Sequence, residues 1–452
     1  MRDRLCEALR NHGADYVEIR YEERKITRIA YRGWQLEEAG LSLDSGGCVR
    51  ALVRGGWGFA SFNDIAVLEE SVARAVDYAR RSSGEMLHLP HREPVDASVA
   101  SMPALSVASV SLEDKKALLD SYNDIIMSAP RIQSSHVMYS DADRTVWYVA
   151  SDGAYIEQKV PDLSLRLTAV ARGRGEVQQA SVSLGSVGDV AAVQGLDDVA
   201  RDMASRAAAL LDAGTVKGGE YTVVLDPVLA GVFTHEAFGH LSEADMVYQN
   251  PQLSELMMLG RRFGGNHLNI VDDATLPSLR GSYAYDDEGV PGQRTYLSRD
   301  GVLEGRLHSR ETAARMGEKP SGNARAIDYR HSPIVRMSNT YIMPGEVSFG
   351  DMIADIREGV YVKDWYGGQT SLEMFTFSAG EAYMIRNGQI AEMLRPVVLT
   401  GNVFTTLGRI DAIGDDLDMN QGGGCGKGGQ SPLPVSNGSP HIRISRCVVG
   451  GR

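Results

Sequence analysis

The sequence predicts an α+β protein. Its N-terminal half reads as duplicated helix–antiparallel meander–helix units, and its C-terminal half as a mainly β domain, barrel- or sandwich-like, that carries one functional helix. Three observations predict this. Helically spaced apolar residues bracket two sets of short alternating runs before residue 213. Several residues coincide at a constant offset of 120. Composition changes near residue 216, and beyond residue 265 Gly and β-branched residues dominate with few helical stretches.

Residues 1–12 read as a helix with Leu5, Ala8 and Leu9 on one side. Alternating runs follow at 16–20, 25–30, 35–39 and 49–53, separated by turns at Arg32-Gly33 and Ser45-Gly46-Gly47. Residues 65–82 return to helical periodicity, and 85–111, with Pro90, Pro94 and Pro103, read as an extended linker. The pattern then recurs: helix over 112–127, strand-like runs over 131–185, helix over 195–212. At the offset of 120, Arg24 matches Arg144, Ala30 Ala150, Gly33 Gly153, Glu37 Glu157, Arg54 Arg174, Gly55 Gly175 and Ala60-Ser61 Ala180-Ser181. Recurrent turn chemistry in two unrelated meanders is the competing explanation; an offset unchanged from first pair to last favours duplication. The expected organisation is an N-terminal domain over 1–215, with sub-units at about 1–84 and 112–213, and a C-terminal domain over 216–452. There, a strand over 220–225 runs into Asp226-Pro227, an N-cap followed by proline at the first helical position. Further helices are expected at 309–317 and 348–357.

Composition excludes several functions. The chain has 452 residues, 43% of them apolar and 23% charged, as in ordinary soluble proteins. A net charge of −13 argues against nucleic-acid binding. No apolar run approaches the ~18 residues of a membrane span, and the N-terminus lacks the apolar core of a signal peptide. Cys6, Cys48, Cys425 and Cys447 have no framework spacing, which suits reduced thiols in a cytoplasm.

The chemistry concentrates in His235-Glu236-Ala237-Phe238-Gly239-His240, two imidazoles and a carboxylate within six positions. Two neutral imidazoles can hold zinc, and the carboxylate between them can take a proton from metal-bound water. The histidines stand at i and i+5, however, which on a regular helix splays them by roughly 140°. A shared metal therefore requires the turn to widen, most simply through a π-bulge, with Gly239 as the place for the relaxation. Such a site needs a third ligand. Cys425, in the loop Gln421-Gly422-Gly423-Gly424-Cys425-Gly426-Lys427-Gly428-Gly429, is the best candidate; a redox-active or merely tolerated thiol is the alternative. Glu243 and Asp245 could each orient an imidazole or belong to a solvated helix end. Glu243 as a direct ligand is a weaker option. The glycine-rich loop fails the phosphate-binding pattern at both ends. The acidic clusters Asp272-Asp273, Asp286-Asp287-Glu288 and Asp415-Asp416 lack calcium-loop spacing and read as turn residues or solvated edges.

Set beside Cys425-Gly426-Lys427, the H-E-x-x-x-H run resembles the TldD/PmbA (TldD/TldE) metallopeptidase family. Asp286-Asp287-Glu288-Gly289-Val290-Pro291-Gly292, Arg336-Met337-Ser338-Asn339-Thr340-Tyr341, Phe377-Ser378-Ala379-Gly380-Glu381-Ala382-Tyr383 and Gly414-Asp415-Asp416-Leu417 resemble it too, in family order. The intact motif makes the chain similar to the catalytic TldD-type member. The resemblance implies Zn²⁺ held by His235, His240 and Cys425, with Glu236 as general base. It implies peptide-bond hydrolysis in unfolded peptides or small proteins, inside a chamber enclosed by a homodimer or by a heterodimer with a TldE/PmbA-like partner. Two other readings stay open: a hydrolase with Cys425 as nucleophile, and a non-catalytic peptide-binding or modulator protein.

Overall fold

Tyr16–Arg32 and Ile132–Ala150 pair antiparallel at the centre of an eight-stranded N-terminal sheet in the computed structural model, which describes every residue except Asn11, Ser83, Arg174, Leu372 and Arg452. From one edge the path runs Gly56–Phe62, Gln35–Val53, Tyr16–Arg32, Ile132–Ala150, Tyr155–Lys159, Asp96–Val99. Asp162–Gly173 pairs with Ile132–Ala150 further along and with Glu176–Ser186. The duplication is visible in these bounds. Shifted by 120, Gln35–Val53 falls on 155–173, the span of Tyr155–Lys159 and Asp162–Gly173 together. The interruption is at Val160-Pro161, where proline has no N–H for the ladder. Gly33 and Gly153 both adopt positive φ (+55° and +92°), as do Gly55 and Gly175 (+79° and +87°), so the matched glycines serve equivalent turns. Arg174, the counterpart of Arg54, lies outside the described residues. Arg24 is both the Cα partner and the repeat counterpart of Arg144, so a local two-fold relates the units about that pair.

Helices cover each unit. Leu68–Arg81 packs Val72 and Val76 onto Val17, Ile19 and Val49. Leu112–Ser128 and Asp197–Leu210 bring Leu119, Ile126, Met203 and Ala204 over Val137, Leu165 and Leu167. The strands are longer than the alternating runs suggest: Tyr16–Arg32 is one strand of 17 residues. Its middle, Glu22-Glu23-Arg24, breaks the apolar alternation because Glu22 and Arg24 are held by ion pairs to Arg144 and Asp44. Within the expected linker, Asp96–Val99 adds a parallel strand beside Tyr155–Lys159.

The C-terminal half contains a closed barrel. Gly219–Leu225 lies between Glu358–Ser371, parallel, and Ile442–Gly451, antiparallel. Val397–Asn402 and Met374–Arg386 complete the ring, the last strand pairing back to Glu358–Ser371. A six-stranded sheet that includes Asn339–Ile342 and Ser436–Ser439 lies alongside. The expected helices are Arg310–Met316 and Phe349–Ala354. Ala244–Gln249, Pro251–Leu256 and Val403–Leu407 are additional, each of five or six residues and too short to show helical periodicity in sequence.

The acidic clusters bear out the turn reading in part, Asp273 accepting from the Thr275 amide and Asp286 from those of Glu288 and Val290, but correct the reading of solvated edges. Asp272, Asp286 and Glu288 are buried, at 1–3% exposure. Asp272 accepts hydrogen bonds from Ser338, Thr340 and Asn323. Asp287 pairs with Arg20 at 2.9 Å and Glu288 with Arg50 at 2.8 Å. Asp287 and Glu288 join the N-terminal sheet to the C-terminal half. Only Asp415-Asp416 is exposed as expected. All four cysteines are free, with Cys48, Cys425 and Cys447 buried and Cys6 exposed. Among the described residues, no helix is long and apolar enough to cross a membrane.

Candidate metal centre

The helix Pro227–Thr234 follows the barrel strand Gly219–Leu225 directly. Asp226 caps it, Oδ1 accepting from the Leu229 amide at 2.9 Å. Its far end is buried, with Phe233 edge-on to Phe375 (5.4 Å) and Phe377 (6.2 Å) of the barrel wall. At His235–Gly239 the ladder changes to a π-turn, and the His240 N–H donates to the His235 carbonyl. That i→i+5 step brings the two rings together: their centroids are 5.2 Å apart at an interplanar angle of 83°. The widened turn that the spacing requires is therefore present. Gly239 serves it differently from expected. Its backbone is ordinarily helical (φ −57°, ψ −55°), so no unusual conformation calls for glycine. A β-carbon there would instead overlap the sulfur of buried Met337. Glycine is needed for close approach.

Cys425 arrives on the hairpin Gly424–Lys427/Gln430–Pro434, from the far end of the chain. Its Sγ is 3.5 Å from His240 Nε2, and one ligand atom each from His235, His240 and Cys425 lies within 4.8 Å of the others. Fully buried Arg336 fixes the hairpin by donating to the carbonyls of Cys425 (2.7 Å) and Gln430 (3.3 Å). The preceding glycines permit contact with the N-terminal sheet: a β-carbon at Gly422 would overlap the Ser183 backbone. Arg280 bridges the same junction, bonding Asp162 through two nitrogens and the Gly423 carbonyl at 2.7 Å.

Electrostatics orient the donors. Glu243, fully buried, lies 2.9 Å from His240 Nδ1, leaving Nε2 facing the sulfur. Lys427 Nζ is 3.0 Å from Glu243, 2.6 Å from Asp245 and 2.8 Å from the Val335 carbonyl. Asp245 thus anchors Lys427 and accepts from the Val335 amide; it reaches neither ring. Burial alone would raise the Glu243 carboxyl, but His240 and Lys427 outweigh it and hold it below its ordinary range. Burial also opposes the Cys425 thiolate, yet His235 and His240 bring the thiol down to about 4. Burial disfavours charged His240, which Glu243 and Cys425 overcome, raising it well above its usual value. His235 Nδ1 is buried with no hydrogen-bond partner, the mark of an atom whose natural partner is an ion. Two imidazoles and a thiolate, one nitrogen orphaned, fit a metal ion. Glu236 lies half-buried one position beyond His235. Sequence reasoning missed Lys427, Arg336 and Met337 as parts of this centre. The Cys425-Gly426-Lys427 run was the available signal for the first.

Comparison with known proteins gives a consistent answer. Three domain descriptions of the PmbA/TldA metallopeptidases match consecutively: domain 1 over 17–82, the central domain over 106–211 and the C-terminal domain over 218–451. A metalloprotease of Synechocystis sp. is 47% identical over 97% of this chain and 95% of its own length. A zinc metalloprotease TldD homolog of Saccharolobus solfataricus is 32% identical over 97% of each chain. A TldD homolog of Haemophilus influenzae is 28% identical over 99% of this chain and 95% of its own. The crystal structure of TldE from Thermococcus kodakarensis superposes with a TM-score of 0.78 at 16% identity, covering all of both chains, and shows the same fold. With its histidine motif intact and its relatives named for TldD, this chain belongs to the PmbA/TldD family of metallopeptidases as a TldD-type member.

Proposed function

We propose that the chain is a zinc-dependent peptidase acting on unfolded peptides or small proteins, with His235, His240 and Cys425 as the ligands. The observation that carries this reading is the π-turn that gathers both imidazoles beside a thiolate 185 positions further along the chain than His240. The donor set supports zinc, as does the name of the Saccharolobus solfataricus relative. Bound there, zinc supplies Lewis-acid polarisation of a peptide carbonyl and a more acidic water. Glu236 takes the proton of the attacking water and returns it to the leaving amine. Glu243 keeps His240 turned with Nε2 free, and Lys427 keeps Glu243 ionised. The four free thiols suit a cytoplasmic setting. The likeness to TldE supports assembly as a homodimer or with a TldE/PmbA-like partner. A working division places an N-terminal α/β domain at 1–215 and the β-rich peptidase domain at 216–452.

One observation favours a second reading: the Cys425 thiolate beside His240 is what a thiol nucleophile needs. Its 2% exposure counts against attack on a carbonyl. Incubating an unfolded peptide pool with the zinc-loaded chain and reading products by mass spectrometry separates the possibilities. Cleavage abolished by a chelator and restored by zinc supports the proposal. Cleavage surviving complete metal removal transfers the role to Cys425, and binding without cleavage leaves a non-catalytic peptide binder.

A further inference from the structure

A cavity of about 530 Å³ lies between the N-terminal sheet and the C-terminal half, bordered by Pro432, Leu433 and Pro434 of the Cys425 hairpin. Its volume falls within the range of small-ligand pockets. Val99, Val146 and Pro432 contribute apolar wall. Its charges are unbalanced. Asp162 is committed to Arg280 (2.6 and 2.9 Å) and Asp287 to Arg20 (2.9 Å). Asp286 accepts three backbone amides, from Glu288, Val290 and Ala324. Two of the lining cations, Arg325 and Lys159, pair with no carboxylate among the described residues. The direct contacts of Arg325 are the carbonyls of Met337 (2.7 Å) and Pro434 (2.8 Å) and the Tyr283 ring at 4.9 Å; Asp287 and Asp272 act on its charge from further off, without an ion pair. In a chain of net charge −13, a pocket whose acids are engaged and whose cations are spare is selective for anions.

Position links the cavity to the metal centre. Pro434, bonded by Arg325, is the strand partner of Gly424, next to Cys425. Gly423, one residue before Gly424, is held by Arg280 of the cavity wall. We propose that this cavity is a substrate subsite that takes a carboxylate of the bound peptide, contacting Arg325 with exposed Lys159 at the rim. The inference rests on the peptidase reading and adds a substrate class: peptides with a free C-terminal carboxylate or an acidic side chain displaced from the scissile bond. Arginine suits this role because its planar donors match a carboxylate, and two are already used to fix its orientation.

The test uses the zinc-loaded full chain carrying Glu236→Ala, so that binding is read without turnover. One labelled peptide is titrated by fluorescence anisotropy in three forms: free C-terminus, C-terminal amide, and the amide with one internal Gln replaced by Glu. The carboxylate-bearing form that the subsite uses should bind about tenfold tighter than the neutral amide, a typical contribution of a charge-assisted hydrogen bond. Which of the two does so identifies the carboxylate's source. Arg325→Met should abolish the preference and Lys159→Ala reduce it, with thermal melts showing that each variant folds. In the unmutated enzyme the same preference should appear in KM with kcat little changed. Equal binding of all three peptides overturns the subsite, as does a preference that survives both substitutions. Because the peptide comparison needs no pocket variant, a misfolded Arg325→Met does not blunt it. Preferential binding without cleavage by the unmutated enzyme would sink the peptidase reading and leave the subsite. Cleavage without preference would do the reverse.

Discussion

Glu236 and Gly239 stand three positions apart on one turn and are constrained by different physics. Glu236 is half-buried and is not among the three gathered candidate ligands, so Glu236→Ala should retain metal by elemental analysis. Its loss should lower turnover by about 10²–10⁴-fold, the usual worth of a positioned acid–base group; near-normal hydrolysis would remove the assignment. Gly239 faces the opposite constraint. Its missing β-carbon is the space occupied by the Met337 sulfur. Gly239→Ala should therefore force either Met337 or the π-turn to move, at a cost on the order of 1–3 kcal/mol. A lowered melting temperature together with reduced metal content is the expected result. An unchanged melt would mean that Met337 adapts freely.

At the scale of elements, the centre depends on a helix and a hairpin that meet through Lys427. The ammonium ties the hairpin to Glu243 and Asp245 at the end of the histidines' helix, and through Glu243 it fixes the His240 ring. Lys427→Met leaves buried Glu243 without its cation, and metal affinity should fall by about 10–100-fold, as for other partners that orient metal ligands. Competition with a chromophoric chelator measures it. The other end of the helix carries a pH dependence. Asp226 is 5% exposed; burial and then Asp364 push its carboxyl up to about 7. The folded state thus holds a proton that the unfolded chain releases near pH ~4. Its stabilisation is full below pH ~4 and is lost as pH rises through about 7. Asp226→Asn keeps a competent cap and removes that titration. Melts from pH 4 to 8 should show the wild type losing on the order of a few kcal/mol relative to the variant, and parallel curves would contradict the shift.

The whole molecule is joined by buried ion pairs between its halves. Arg50, 6% exposed, reaches Glu18 at 2.7 Å on its own sheet and Glu288 at 2.8 Å across the junction. Arg50→Met would leave two buried carboxylates without their cation, costing on the order of 3–5 kcal/mol. Thermal unfolding should shift to lower temperature and split into two transitions as the halves uncouple. A single transition at the original temperature would show that apolar contacts alone join them. The Cys425 loop crosses this same junction, with Gly422 against Ser183 and Arg280 bonded to Asp162. The candidate metal centre is therefore supported by the N-terminal sheet, although none of its three candidate donors comes from it.

The sequence by itself determined what is local or periodic. The capped helix after Asp226, the helices read at 65–82, 112–127 and 195–212, the repeat at 120 and the condition that a shared metal demands a widened turn all follow from spacing and propensity. A π-turn is legible because the side chains that require it sit five positions apart. Only the tertiary structure decided what depends on groups remote in the chain. It showed that Gly239 makes room for Met337, that Asp245 holds Lys427 and no imidazole, and that Asp287 and Glu288 form a junction with distant arginines. Long-range ion pairs and steric approach leave no period in a sequence, because each partner reads locally as an ordinary polar or small residue. Barrel closure is the same case: pairing Glu358–Ser371 with both Gly219–Leu225 and Met374–Arg386 is a property of register between strands, settled only when they meet.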